Sequence, residues 1–137
     1  MTHPRLDTVI LIDDEKIDQR IYKNIIDRSK VVRRLVQFLS PLEALEFLVN
    51  EDCSRVEAIF LDINMPKMNG FEFLEEAQKR LGENFTQTVV IMLTTSFSPK
   101  DRETADSFYV VKKYINKPLT EKHLIEVAAI VQREKGH

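Results

Sequence analysis

The stretch AIFLDINMPKMNG, residues 58–70, carries four apolar residues into an acid, Asp62, and then turns at Met65-Pro66. An uninterrupted apolar run of this kind reads as a strand buried on both faces, the form taken by central strands of a parallel sheet. A carboxylate at the end of such a strand is costly to hold unless something uses it. Working outward, the same pattern recurs. Val9, Ile10, Leu11 and Ile12 lead into Asp13-Asp14, and residues 88–93 lead into Thr94-Thr95-Ser96. A shorter candidate strand covers residues 34–38. A weaker one covers residues 110–115, carries Lys112 and Lys113 as suits a sheet edge, and precedes Lys117-Pro118.

Helical patterns alternate with these runs. Ile17, Ile21 and Ile25 at helical spacing predict the inner face of a first helix, with Lys16, Asp18, Arg20 and Lys23 facing elsewhere. Ser40-Pro41-Leu42-Glu43 reads as an N-cap, a proline at the first helical position and a capping box. It opens a helix whose predicted stripe is Leu42, Leu45, Leu48 and Val49. The same device recurs at Asn69-Gly70-Phe71-Glu72, before the stripe Phe71, Leu74 and Leu81, and at Ser98-Pro99-Lys100-Asp101. A last helix begins near Thr120, with Leu124, Val127, Ala128 and Val131 inward. Strand followed by helix, five times over, predicts an open parallel α/β sheet covered on both sides.

Composition narrows the function classes. The 137 residues suit one domain, expected to span the whole chain with a core over roughly residues 7–131. With 43% apolar and 31% charged residues the balance is globular rather than disordered. A net charge of -2 offers no basic field for nucleic acid or anionic lipid. Cys53 is the single cysteine, which excludes an internal disulfide and a cysteine-built zinc cage. No signal-peptide shape and no membrane-length apolar run occur, so the expected location is cytoplasmic, with no membrane partner. His3, His123 and His137 are expected to be surface residues.

In such a sheet ligands bind at the carboxyl ends of the strands. Beyond those ends stand Asp13 and Asp14, then Asp62, then Thr94, then Lys117. Two carboxylates about 4 Å apart repel by roughly 4 kcal/mol at an effective dielectric near 20. A hard divalent cation relieves this, and oxygen ligands without nearby His or Cys point to a magnesium-like ion. Metal, Lys117 and the Thr94 hydroxyl together can neutralise a phosphoryl group held over Asp62, which makes Asp62 a nucleophile. The bland readings are an N-cap for either early Asp, a plain strand residue for Thr94 and an ordinary edge tyrosine for Tyr114. The acid pair facing Asp62 favours the ligand reading.

Asp13-Asp14 after the first strand, LDINMPKMNG, Thr94 after the fourth and YINKP after the fifth resemble a response-regulator receiver domain of two-component signalling. The resemblance implies a flavodoxin-like (βα)5 sheet of strand order 2-1-3-4-5. It implies that Asp62 is the phosphoacceptor and that the cofactor is magnesium (or manganese). Asp14 and Asp62 would ligate the metal directly, Asp13 through water, and Asn64 through its backbone carbonyl. Lys117 would pair with the phosphoryl oxygens, with Thr94 and the backbone amide of Thr95 hydrogen-bonding them. Pro118 would follow a cis peptide bond, and Tyr114 would be the aromatic switch coupled to Thr94.

As a function, the resemblance implies a stand-alone receiver with no output domain, a signalling domain rather than an enzyme. A sensor histidine kinase or histidine phosphotransfer protein would phosphorylate it. A downstream protein would dock on the face made by the fourth helix, fifth strand and last helix. Thr95 departs from the family, where Ala or Gly is usual. A magnesium-dependent aspartyl-phosphate phosphatase of the haloacid-dehalogenase type needs a second Asp where Asn64 stands. A flavodoxin-type redox carrier needs Ser, Thr and Gly where Asp13-Asp14-Glu15 stand. A receiver-shaped scaffold that takes no phosphate usually lacks an acid or the lysine.

Overall fold

The computed structural model describes residues 5–135. The apolar runs become strands β1 (Leu6–Ile12), β2 (Val32–Phe38), β3 (Val56–Leu61), β4 (Val89–Thr94) and β5 (Val111–Asn116). All pair in parallel, in the order β2-β1-β3-β4-β5. Helices α1 (Lys16–Ser29), α2 (Pro41–Asn50), α3 (Gly70–Leu81), α5 (Pro99–Asp106) and α6 (Glu121–Lys135) cover the two faces. A single-turn helix, α4 (Glu83–Thr86), adds to the five predicted, and its buried Phe85 plugs the core below β4. Helix α6 follows the predicted inner face of Leu124, Val127, Ala128 and Val131.

Side chains of β1 alternate between two cores, as the two-residue period of a strand requires. Val9 and Leu11 join Phe60, Ile91 and the inner faces of α1 and α6. Ile10 and Ile12 join Ile59, Leu61, Val90 and Met92 under α2 and α3. Each such side chain, fully buried, contributes about 1.5–3 kcal/mol. Edge strand β5 is half-exposed, and its Lys112 and Lys113 reach Glu134 and Glu126 of α6 at 3.6 and 3.8 Å.

The helix faces differ from the predicted stripes. Ile17 and Ile21 are 71% and 47% exposed, and the buried face of α1 is Gln19, Tyr22, Ile26 and Ser29. The cause is Gln19, whose Nε2 donates to the carbonyls of Leu11, Asp13 and Phe38 at 3.2, 3.0 and 2.8 Å. Holding Gln19 on these backbone acceptors turns Ile17 and Ile21 outward, while Ile25 keeps its predicted place against the core. In α2, Pro41 and Ala44 join Leu45 and Leu48 inside, while Leu42 and Val49 are exposed. Ser40 caps the Leu42 and Glu43 amides, without the reciprocal bond from Glu43. In α3 the buried face is Gly70, Phe73, Leu74 and Ala77; Phe71 instead stacks on Phe108 at 6.1 Å. Asn69 and Glu72 form the predicted capping box.

His123 is half-buried and closes the start of α6: its Nδ1 accepts the Thr120 amide at 3.1 Å, and Thr120 Oγ1 accepts the His123 amide at 3.3 Å. His3 and His137 lie outside the described residues. Burial, with Lys113 and Lys122 nearby, lowers the His123 pKa against the pull of Glu126. Unfolded His123 takes a proton near pH 6.5, folded His123 only at lower pH, so this cap's stability is lost as pH falls through that interval. His123→Gln keeps an acceptor at this position. The melting temperature of the variant should therefore fall less than that of wild type on acidification from about pH 7.5 to 5.5.

Candidate functional site

The sheet's carboxyl edge is held by backbone before any side chain acts. The Asp62 amide donates to the Ile12 carbonyl at 3.1 Å, and the Asp13 amide to that of Phe38 at 3.1 Å. These bonds carry the ladders one residue past β1 and β3, so the two acids start from fixed positions. Gly70 then brings the chain back over Asp62, its amide bonded to the Ile63 carbonyl at 2.8 Å.

Carboxylate oxygens of Asp13, Asp14 and Asp62 come within 4.8 Å of one another. Asp13 and Asp62 are buried, Asp14 half-buried. Asp13 Oδ1 accepts the Glu15 amide at 2.9 Å, and Asp62 Oδ1 accepts the amide of Ile63 at 2.7 Å. Lys117 enters from the end of β5, its peptide bond to Pro118 cis. Its Nζ donates to Asp13 Oδ2 at 2.7 Å, to Asp18 Oδ2 at 2.8 Å and to Asp62 Oδ2 at 3.4 Å.

One ammonium thus meets three carboxylates, and Asp14 adds a fourth to the same pocket. Burial pushes the Asp13 carboxyl above the usual carboxylate range, and the Lys117 hydrogen bond only partly opposes it. Burial also disfavours charge on Lys117, but hydrogen bonds to Asp13 and Asp18 outweigh it and hold Lys117 above the ordinary lysine range. Lys117 therefore stays charged at neutral pH, and negative charge remains in excess. Three converging hard oxygen donors in a net negative pocket are suited to a small divalent cation.

Thr94 closes the rim from β4 and is fully buried. Its Oγ1 accepts the Ser96 amide at 3.2 Å, and its carbonyl accepts the Lys117 amide at 2.9 Å. Ser96 in turn ties this loop to β5: its carbonyl accepts Tyr114 Oη at 3.1 Å and Asn116 Nδ2 at 2.7 Å. Arg102 lies over the Tyr114 ring at 5.0 Å. The side chains of Asn64 and Thr95 are exposed, so at the rim they offer backbone atoms.

Asp13, Asp14, Asp62 and Lys117 thus meet, with Thr94 beside them and Tyr114 linked through Ser96. Asp18, read from the sequence as facing away, points in and binds Lys117. Its position one helical turn after Asp14, at the N-terminal end of the first helix, was the available signal. Asn116 and Gln19 left no such signal, because both act on backbone carbonyls.

The doubly wound sheet with its chemistry at the carboxyl edge defines a flavodoxin-like α/β module with an acidic pocket. A family model for the response regulator receiver domain matches residues 9–129, and the chain belongs to that family, the receivers of two-component systems. It is 30% identical over 97 residues to the response regulator Rcp1 of a Synechocystis species, a match covering 68% of this chain and 65% of that relative. It therefore spans just under two thirds of that relative's length. A two component response regulator from Cytophaga hutchinsonii superposes with a TM-score of 0.85 at 28% identity, covering 94% of this chain and 98% of that one. The phosphorylated cyanobacterial phytochrome response regulator RcpA gives a TM-score of 0.71 at 26% identity, covering 96% and 93%. Among the described residues no helix is long and apolar enough to cross a membrane.

Proposed function

We propose that this chain is a single receiver unit, acting in the cytoplasm, whose Asp62 accepts a phosphoryl group from a histidine kinase or a histidine phosphotransfer protein. The observation that carries this reading is the meeting of the Lys117 ammonium with Asp13 and Asp62 beside a third carboxylate. In the transfer, an Asp62 oxygen bonds to phosphorus as the phosphorus–nitrogen bond of the donor phosphohistidine breaks, and the leaving imidazole takes up a proton. Asp62 is suited to this because its backbone and Oδ1 are pinned, which aligns the attacking group in advance.

Asp13, Asp14 and Asp62, with the backbone carbonyl of Asn64, would hold magnesium or manganese. No hydrogen bond of the Ile63–Gly70 turn uses that carbonyl. The ion supplies neutralisation of the phosphoryl charge. Lys117 binds the phosphoryl oxygens, and the Thr94 hydroxyl and Thr95 amide donate to them. To do so Thr94 Oγ1 shifts toward the phosphoryl group and donates its O–H, while a lone pair continues to accept the Ser96 amide. That change pulls on Ser96, to which Tyr114 is bonded, and so alters the face formed by α5, β5 and α6 that a downstream protein would read.

The test is the intact mass after incubation with acetyl phosphate. A gain of one phosphoryl group in magnesium, none in chelator, and fragmentation placing it on Asp62 are expected. A phosphoryl group found on another residue overturns the assignment.

A further inference from the structure

An ammonium has three N–H donors, and Lys117 spends two of them on short bonds, to Asp13 at 2.7 Å and to Asp18 at 2.8 Å. Its contact with Asp62 is 3.4 Å, at the outer limit of a hydrogen bond. The ammonium is therefore drawn off Asp62, toward α1. Asp13 is not the only acid that draws it: the second short bond goes to Asp18 on α1.

Asp18 is built to pull. The next residue, Gln19, clamps the first turn of α1 onto three carbonyls, so the Asp18 backbone cannot swing away. One turn on, the buried Tyr22 ring lies 5.9 Å from Lys117 Nζ. Asp18 also stands outside the group of three carboxylates that can share a metal. An ion seated there offsets the charge of Asp13, Asp14 and Asp62, and leaves Asp18 with Lys117 as its counter-charge.

We propose that Asp18 is a positioning residue of the phosphoryl pocket, holding the Lys117 ammonium away from Asp62 and so weakening the phosphorylated state. This rests on the reading of Asp62 as phosphoacceptor. A phosphoryl group on Asp62 and the Asp18 carboxylate compete for one ammonium and repel each other across it. Asp18 thereby sets how firmly the phosphoryl group is held.

Removing the charge of Asp18 has opposite effects on anions and cations, which a loss of structural integrity does not imitate. The probe is beryllium fluoride, a tetrahedral mimic of a phosphoryl group on a carboxylate, titrated at saturating magnesium and read by fluorine NMR. Asp18→Asn and Asp18→Ala should bind it about three- to tenfold more tightly than wild type, and bind magnesium alone more weakly by a similar factor. Asp18→Glu, which retains the charge, should stay near wild type. Unchanged or weaker beryllium fluoride binding in both neutral variants overturns the proposal and leaves the phosphoacceptor reading standing. Binding that survives in Asp62→Asn, or no binding by wild type, overturns both.

Discussion

Lys117→Met is expected to lose roughly 3–5 kcal/mol of folding stability in chelator, because one partner of a buried ionic network is gone and the others remain. Asp13 is 1% exposed and Asp62 7%, so water replaces the ammonium only in part. Two further effects have the same cause. Magnesium should stabilise the variant more than wild type, since no ammonium competes for Asp13, and an ion at 100 times its dissociation constant contributes about 2.7 kcal/mol. Acidification should also help. The Asp13 carboxyl already lies above the usual range through burial, and losing Lys117 raises it further. A carboxyl whose folded pKa exceeds its unfolded value favours the fold at low pH and loses that as pH rises through the folded pKa. In chelator the variant should therefore be more stable at about pH 5 than at pH 7.5, which urea unfolding at the two pH values measures. Phosphoryl uptake should fall about 100-fold or more, the scale for removing one positioned charge from such a site. Wild-type unfolding midpoints in chelator would show that Asp13 and Asp62 do not depend on Lys117.

Gly70→Ala should damage the site from the backbone side. A Cβ at Gly70 would lie 2.4 Å from the Asp62 carbonyl oxygen and 3.2 Å from both the Asp62 carbonyl carbon and Ile63 Cα. All three are backbone atoms, so no side chain can move aside. Alanine gains about 1 kcal/mol over glycine in a helix interior, but here the overlap governs, at a cost of about 1–3 kcal/mol. Either α3 or the Asp62 backbone must shift, and displacement of a reacting group by about 1 Å can cost 100-fold in rate. Phosphoryl uptake should fall about 10- to 100-fold, with modest loss of stability. Gly82→Ala is the control. It has φ +56° with nothing within 4 Å of the added Cβ, so it should lose about 1–3 kcal/mol through backbone strain and keep wild-type uptake.

Helix α1 shows where sequence reasoning stops. Ile17 and Ile21 have the spacing of a buried stripe, yet they lie outside and Gln19 lies inside. Periodicity weighs apolar residues and cannot see the backbone carbonyls gathered at the ends of β1 and β2. The same blindness hid Asp18, which is an ordinary first-turn acid until Lys117 arrives from 99 residues further along the chain. The single-turn α4 was missed because four residues are too few to display a period. The strand-end acids, by contrast, stood out because each closes an apolar run.

By itself the sequence determined the strands, their alternation with helices, the family, and which residues end each strand. All of these are local patterns of burial and capping, repeated along the chain. Only the tertiary structure decided which way α1 turns, which carboxylates Lys117 serves, and how Thr94 reaches Tyr114 through Ser96. Those outcomes depend on distances between segments far apart in the chain. There, charge and hydrogen-bond satisfaction in a buried rim outweigh the pattern of any single segment.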